Sequence, residues 1–214
     1  MRYPPLLIAL FLAMLLGPFY GHFVSFNVAN DVVLLTIFLT GIYAFRHVRL
    51  LAVCLTVLTV ISLTARFAVR HWGTPVLQLI SQGSNFVAML LVMIAILSEV
   101  LRVRKASSDL VIGAVCLYFI IGMAWTFLYY SMYLLAPGSF FVSPAAKSVT
   151  TIESKFIEIL YVSLSALTSI GSSGEEAVTV VARRLAVLEC AMGQLYLAVL
   201  ISRLVGFSTT NDNR

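Results

Sequence analysis

Charged residues are so widely spaced along this chain that they leave apolar intervals of the length a membrane demands. Uninterrupted stretches run over 3–30, 32–45, 50–65, 71–98, 110–146 and 159–174, and a seventh, 185–202, is broken only by Glu189. A helix that crosses the hydrocarbon core needs roughly 20 mainly apolar residues. Inside that core a backbone must satisfy its own hydrogen bonds, so such stretches read as helices. Composition agrees: the 214 residues are 61% hydrophobic and 11% charged, against about 45–50% and about 25% in a soluble globular chain. These figures exclude a cytosolic, secreted or disordered protein. The net charge of +5 comes from Lys and Arg scattered in ones, twos and threes. That is the distribution of membrane-flanking loops, not the stripe that binds nucleic acid. Cys54, Cys116 and Cys190 each lie within an apolar run, where cysteine serves as a small buried residue rather than as part of a disulfide framework or metal cluster.

The first segment, PPLLIALFLAMLLG behind Arg2, has the charge and apolar core of a signal peptide and also reads as an uncleaved first helix. Gly17, Pro18, Phe19 and Tyr20 follow without a small-x-small cleavage site, which favours the helix. Further spans are expected over about 28–45, 49–66 and 75–100, the last opening on Pro75, a good first helical residue. With six crossings and the amino terminus inside, the inner loops collect Arg2, Arg46, Arg49, Arg102, Arg104, Lys105, Arg203 and Arg214, and the outer ones Arg66, Arg70, Lys147, Lys155, Arg183 and Arg184. The inner excess places both termini in the cytoplasm. No span carries arginine at every third position, so no voltage sensor is expected. Gln78, Gln82 and Asn85 read as residues that hydrogen-bond between helices.

The segment behind Thr150 differs from the rest. It carries Ser163, Ser165, Thr168 and Ser169 and closes on GSSGEE, the mark of a helix that enters the membrane without crossing it. Thr150 and Glu153 form a capping box, so a helix starts there and runs to about Leu167. A helix carboxyl terminus carries roughly half a negative charge, and several aimed at one axis favour a cation in the dry centre of the bilayer. Irregular backbone at that depth survives only when protein buries it or it lines a water-filled cavity.

From Glu158 to Gly206 the chain reads EILYVSLSALTSIGSSGEEAVTVVARRLAVLECAMGQLYLAVLISRLVG. This resembles the pore region of the tetrameric potassium channels, in which a pore helix runs into a T-x-G-Y-G-D filter, a turn and an inner helix. The matching pieces are Tyr161, Ser163, Leu167 to Gly171, Ala182, Arg183, Leu185 to Glu189 and Gly193 to Gly206. The stretch GQLYLAVLISRLVG looks like the small bacterial members, and DLVIGAVCLYFIIGMAWTFLYY with PGSF at 137–140 looks like their outer helix and its exit. The resemblance implies an all-α membrane protein with six spans, a re-entrant pore helix and filter loop, and four-fold assembly. It divides the chain into a four-helix membrane domain over 1–106, a pore domain over 107–207 and a short tail over 208–214.

On the same resemblance Thr168, Ser169, Ile170, Gly171, Ser172, Ser173 and Gly174 stand at the selectivity filter, and Glu175 and Glu176 at the outer mouth, with Arg183 and Arg184 opposing them nearby. Glu189 would brace the filter backbone from behind or sit at an interface without a role. Gly193 stands at the inner-helix hinge or at a close helix contact, and Gln194 faces the cavity. The filter departs from the family pattern, because Ser172 replaces the aromatic and Ser173 the second glycine. A one-residue slip making Gly174 that glycine remains open. The turn proline is also gone, with Ala177 and Val178 in its place. These losses imply weak discrimination between potassium and sodium, since hydrated ions are harder to tell apart than stripped ones.

GSSG at 171–174 also fits the G-x-S-G pattern of intramembrane serine proteases. Such a serine needs a base, and the chain has no histidine beyond His71. His22, His47 and His71 read as residues at span ends. The expectation is therefore a cation channel that is not voltage-gated and not an enzyme. It needs no cofactor and no metal beyond permeant potassium or sodium, and its partners are the bilayer and its own copies. The resemblance to bacterial members places it in an inner (plasma) membrane. The alternative is a non-conducting, channel-like subunit with an assembly or regulatory role.

Overall fold

The structure, a computed structural model, describes residues 3–16, 26–44, 48–102, 108–142, 152–171 and 175–212. Among them are seven helices: α1 (Pro4–Leu16), α2 (Phe26–Ala44), α3 (Arg49–Trp72), α4 (Pro75–Arg102), α5 (Ser108–Leu135), α6 (Ile152–Leu167) and α7 (Val180–Asp212). Two strands of three residues complete the set, β1 (Phe140–Val142) and β2 (Glu175–Ala177). The helix ends follow local chemistry. Pro75 opens α4, where its missing N–H costs nothing. Gly73 closes α3 in the left-handed conformation, φ 61°, with its N–H on the Val69 carbonyl. Thr179 caps α7, its Oγ1 accepting from the Ala182 N–H at 3.3 Å.

α3 runs six residues past the expected end at 66, through Arg66 and Arg70 to Trp72. Arg66 does not mark a loop: its Nη1 lies 2.5 Å from Asp31 Oδ1 of α2, so the charge is paired beside the bundle and the helix continues to its glycine stop. α6 ends at Leu167 as expected and starts at Ile152. The expected cap residue Thr150 lies outside the described residues, as do His22 and His47.

Among the described residues, four helices contain stretches long and apolar enough to cross a membrane: Arg49–Val69, Pro75–Leu101, Asp109–Leu135 and Val180–Arg203. On length and composition the chain is an integral membrane protein. α1, of 13 residues, is shorter, and within the described residues of α2 the apolar stretch runs over Leu34–Tyr43. Each of α1 to α4 packs on the next helix in sequence, and α1 closes back onto α5. On its other side α5 meets α6 and α7. Shared by both groups, α5 has 67% of its spanning window buried, while α7 has 11%. Leu6, Leu10, Ile37, Leu55, Met89, Ile96, Leu117, Ile120 and Phe127 fill the core between these helices. At the far end of the bundle Tyr3 Oη donates to Glu99 of α4, and Arg203 Nη2 of α7 donates to the Leu101 carbonyl at 2.8 Å.

The ladder is an element with no counterpart in the sequence reading. β1 and β2 pair antiparallel, Phe140 with Ala177, Phe141 with Glu176 and Val142 with Glu175. Beside the ladder the N–H groups of Val178 and Thr179 reach the Ser139 carbonyl. The segment that leaves α5 is thus tied to the segment that enters α7.

Candidate functional site: the end of α6 and its supports

α6 starts level with the last turns of α5 and ends halfway along α7. At its start Phe156 packs on Tyr130, ring centroids 5.6 Å apart, and Lys155 Nζ lies 6.0 Å from the Tyr133 ring. At its end the Leu167 carbonyl meets Gly193, so closely that a Cβ on that glycine would overlap the oxygen. Gly193 sits two residues from the middle of the Val180–Arg203 span. A second glycine grips α6 from the α5 side, where a Cβ on Gly122 would stand 2.8 Å from Leu164 Cδ2. The close approach packs Gly193 against the end of α6.

Beyond Leu167 the chain turns back on the helix. Ser169 adopts φ 61°, its N–H bonds the Ala166 carbonyl at 3.0 Å, and the Ile170 N–H bonds the Ser165 carbonyl at 3.0 Å. This pair of bonds is a Schellman motif, with serine where glycine is usual. An L-residue in that conformation costs roughly 1–2 kcal/mol. Gly171 follows with φ 79°. Positive φ thus occurs at two of the four described residues that follow α6, Ser169 and Gly171. Thr168, Ser169, Ile170 and Gly171 are all exposed, Ile170 at 80%. Ser172, Ser173 and Gly174 lie outside the described residues. Glu175 and Glu176 belong to β2, and Arg183 Nε donates to the Ala177 carbonyl at 3.0 Å, securing the end of that strand.

Glu189 is fully buried where three helices meet. Tyr129 Oη of α5 donates to its Oε2 at 2.7 Å, and Ser163 Oγ of α6 donates to its Oε1 at 2.5 Å. The same Ser163 oxygen lies 2.9 Å from the Gly122 carbonyl, so one hydroxyl hydrogen serves two acceptors. Among the described residues these hydroxyls, rather than loop backbone, are the hydrogen-bond partners of Glu189. It joins the helices that carry the loop.

Two tyrosines complete the support. Tyr118 Oη of α5 donates to the Leu167 carbonyl at 3.1 Å and stacks on Tyr196 of α7, centroids 5.9 Å apart. Tyr196 Oη donates to the Ala114 carbonyl at 2.6 Å. On the exposed side, Gln194 Nε2 donates to Ser169 Oγ at 2.8 Å, and Cys190 Sγ lies 3.2 Å from the same oxygen. Gln194 therefore sits beside the turn, on the face of α7 that its own chain leaves open. Electrostatically, the negative end of the α6 dipole points at this turn, and the carbonyls of Leu164, Ser165, Ala166 and Leu167 all accept hydrogen bonds.

The structure brings Thr168, Ser169, Ile170, Gly171, Gly193 and Gln194 together and places Glu189 one turn of α7 from Gly193. Sequence reasoning missed Tyr118, Tyr129 and Tyr196. A buried acid demands hydroxyl or amide partners, which narrows the search to polar residues on adjacent helices. Ser163 stood in the quoted motif. Comparison with family models, curated proteins and solved structures finds no match, so the potassium-channel resemblance rests on the residues of this chain.

Proposed function

We propose that the chain is a subunit of a cation channel with a potassium-channel-like pore, assembled four-fold, in which α6 is the re-entrant pore helix and 168–174 the filter loop. The carrying observation is the contact of the Leu167 carbonyl with Gly193 near the middle of the α7 span. A helix of 16 residues is about 24 Å long, short of the roughly 30 Å hydrocarbon core. It begins beside the end of α5 and stops at mid-depth. Exposed backbone there needs protein or water around it. Copies arranged about an axis, with the open face of α7 inward, supply both. In that arrangement α1 and α2 complete six crossings, and both termini lie on one side of an inner membrane.

With serines in place of the aromatic and the second glycine, the loop lacks the packing that holds carbonyls at a fixed radius, and Ser169 and Ser172 hydroxyls with partly hydrated ions replace some carbonyl ligands. Potassium and sodium then pass with weak discrimination. The non-conducting alternative has one observation on its side: the last α6 carbonyls are already engaged. Flux in liposomes under potassium and sodium gradients, on protein whose native mass shows four chains, decides between them. Cation flux through both gradients supports the channel, and the triple change Ser172→Tyr, Ser173→Gly, Gly174→Asp should raise selectivity for potassium. Four assembled chains without current would instead establish the non-conducting subunit.

A further inference from the structure

Away from this joint, polar side chains gather at one end of the N-terminal helices. Asp31 of α2 pairs with Arg66 of α3, and Arg66 Nε donates to Ser81 Oγ of α4 at 3.3 Å. Ser62 of α3 donates to Asn85 Oδ1 of α4 at 2.6 Å, and its Oγ lies 3.3 Å from Ser81 Oγ. Between α2 and α3 a cavity of about 10 Å3, the space open to a water centre, is bordered by Asp31, Thr59, Ser62 and Arg66 and, on the rest of its wall, by four apolar side chains. Beyond Ser62, two buried atoms have no hydrogen-bond partner among the described residues: Asn85 Nδ2 and Gln82 Oε1, in side chains 0% and 6% exposed. Turning the Asn85 amide over orphans its oxygen instead.

An orphaned donor and an orphaned acceptor one helical turn apart are complementary. Residues three apart lie on the same face, and one water can accept from Asn85 while donating to Gln82. Lipid offers nothing to such atoms; the cavity beside Asp31 and Arg66, which Gln82 and Asn85 do not border, is close to the roughly 10–15 Å3 that a single water needs. Depth sets the geometry. Ser62 and Asn85 each lie three residues, about 5 Å, from the middle of their spans. Past Asn85 the buried face of α4 becomes Ala88, Met89, Val92 and Ile96, a dry floor.

We propose that the seam Asp31–Arg66–Ser81–Ser62–Asn85 is a water-filled crevice, separate from the 168–174 loop. It enters at the membrane face where α3 ends and α4 begins, and it stops at the Gln82–Asn85 pair. Its ligand is water, held as a chain from the ion pair to the two amides. The crevice keeps a charged pair solvated beside lipid and carries the aqueous phase nearly to mid-membrane within the N-terminal helices.

Silver ion tests this, being close to water in size, carried only in water and bound by thiols. Ser81→Cys, Asn85→Cys, Met89→Cys and Val92→Cys chains in liposomes are exposed to silver, then unfolded and alkylated. Peptide masses locate the alkyl groups, so the native cysteines stay in place. Alkylation should be lost at 81 and 85 and complete at 89 and 92. Ser62→Cys reads the same depth from the opposite wall should Asn85→Cys fail to fold. Full alkylation at 62, 81 and 85 in folded protein overturns the crevice, and silver protection extending equally to 89 and 92 overturns its floor.

Discussion

At the α5–α6–α7 joint the buried carboxylate of Glu189 holds two hydroxyls and the tyrosines hold two carbonyls, whereas the seam between α2, α3 and α4 leaves two amide atoms without a partner among the described residues. Both regions bury polar groups in helices surrounded by lipid. A closed network fixes one arrangement of its helices, because any displacement strands a polar group in a low dielectric. An open one must take in water or tolerate the cost. The joint is therefore suited to hold a loop in place, and the seam to admit solvent.

Removing the centre of the closed network should break the contrast most severely. Glu189→Ala strands the Tyr129 hydroxyl, at roughly 1–3 kcal/mol, leaves Ser163 with the Gly122 carbonyl alone, and adds a cavity. A fall of about 2–5 kcal/mol in unfolding free energy is expected from denaturant titration in mild detergent. Asn85→Ala leaves Ser62 its contact with the Ser81 hydroxyl and, in a hydrated seam, water, so its cost should stay below about 1 kcal/mol. Equal losses for the two variants would erase the distinction.

Gly193→Ala tests the joint from its backbone. The new methyl meets the Leu167 carbonyl, and overpacking of this kind costs about 1–3 kcal/mol. Thermal unfolding should register it, together with a change in ion selectivity as α6 is pushed from α7. Ser169→Gly works in the opposite direction, relieving the left-handed serine by about 1 kcal/mol. A lower melting temperature for this variant would show that the Ser169 contacts with Gln194 and Cys190 outweigh the strain. The smallest effect is expected from Tyr118→Phe, about 0.6 kcal/mol, the mean for a hydrogen bond within a membrane bundle. Its flux ratio between potassium and sodium should nevertheless shift, since the freed carbonyl is the last of α6.

Much of this contrast was visible in the chain. The stop of α6 at Leu167 and the start of α4 at Pro75 follow from local composition, and Gln78 and Asn85 bond across helices as expected, to Tyr130 and from Ser62. The end of α3 was misplaced because Arg66 looked like a terminal charge. Its partner Asp31 is 35 residues away, a pairing that only the fold supplies. Glu189 was recognisable as a residue needing partners, yet Tyr129 stands 60 residues before it. The ladder left no trace at all, since strands of three residues cannot display an alternation.

That ladder has a consequence for how the protein can change over evolutionary time. Because β1 and β2 clasp the chain just before and just after residues 143–174, the excursion carrying α6 and the loop departs from and returns to one point. The cost of closing such an excursion varies slowly with its length, by about 0.6 kcal/mol per doubling. Substitutions, insertions or deletions at 172–174 can then accumulate without moving α5 or α7. A clasped excursion is a place where the sequence can change while the scaffold stays fixed.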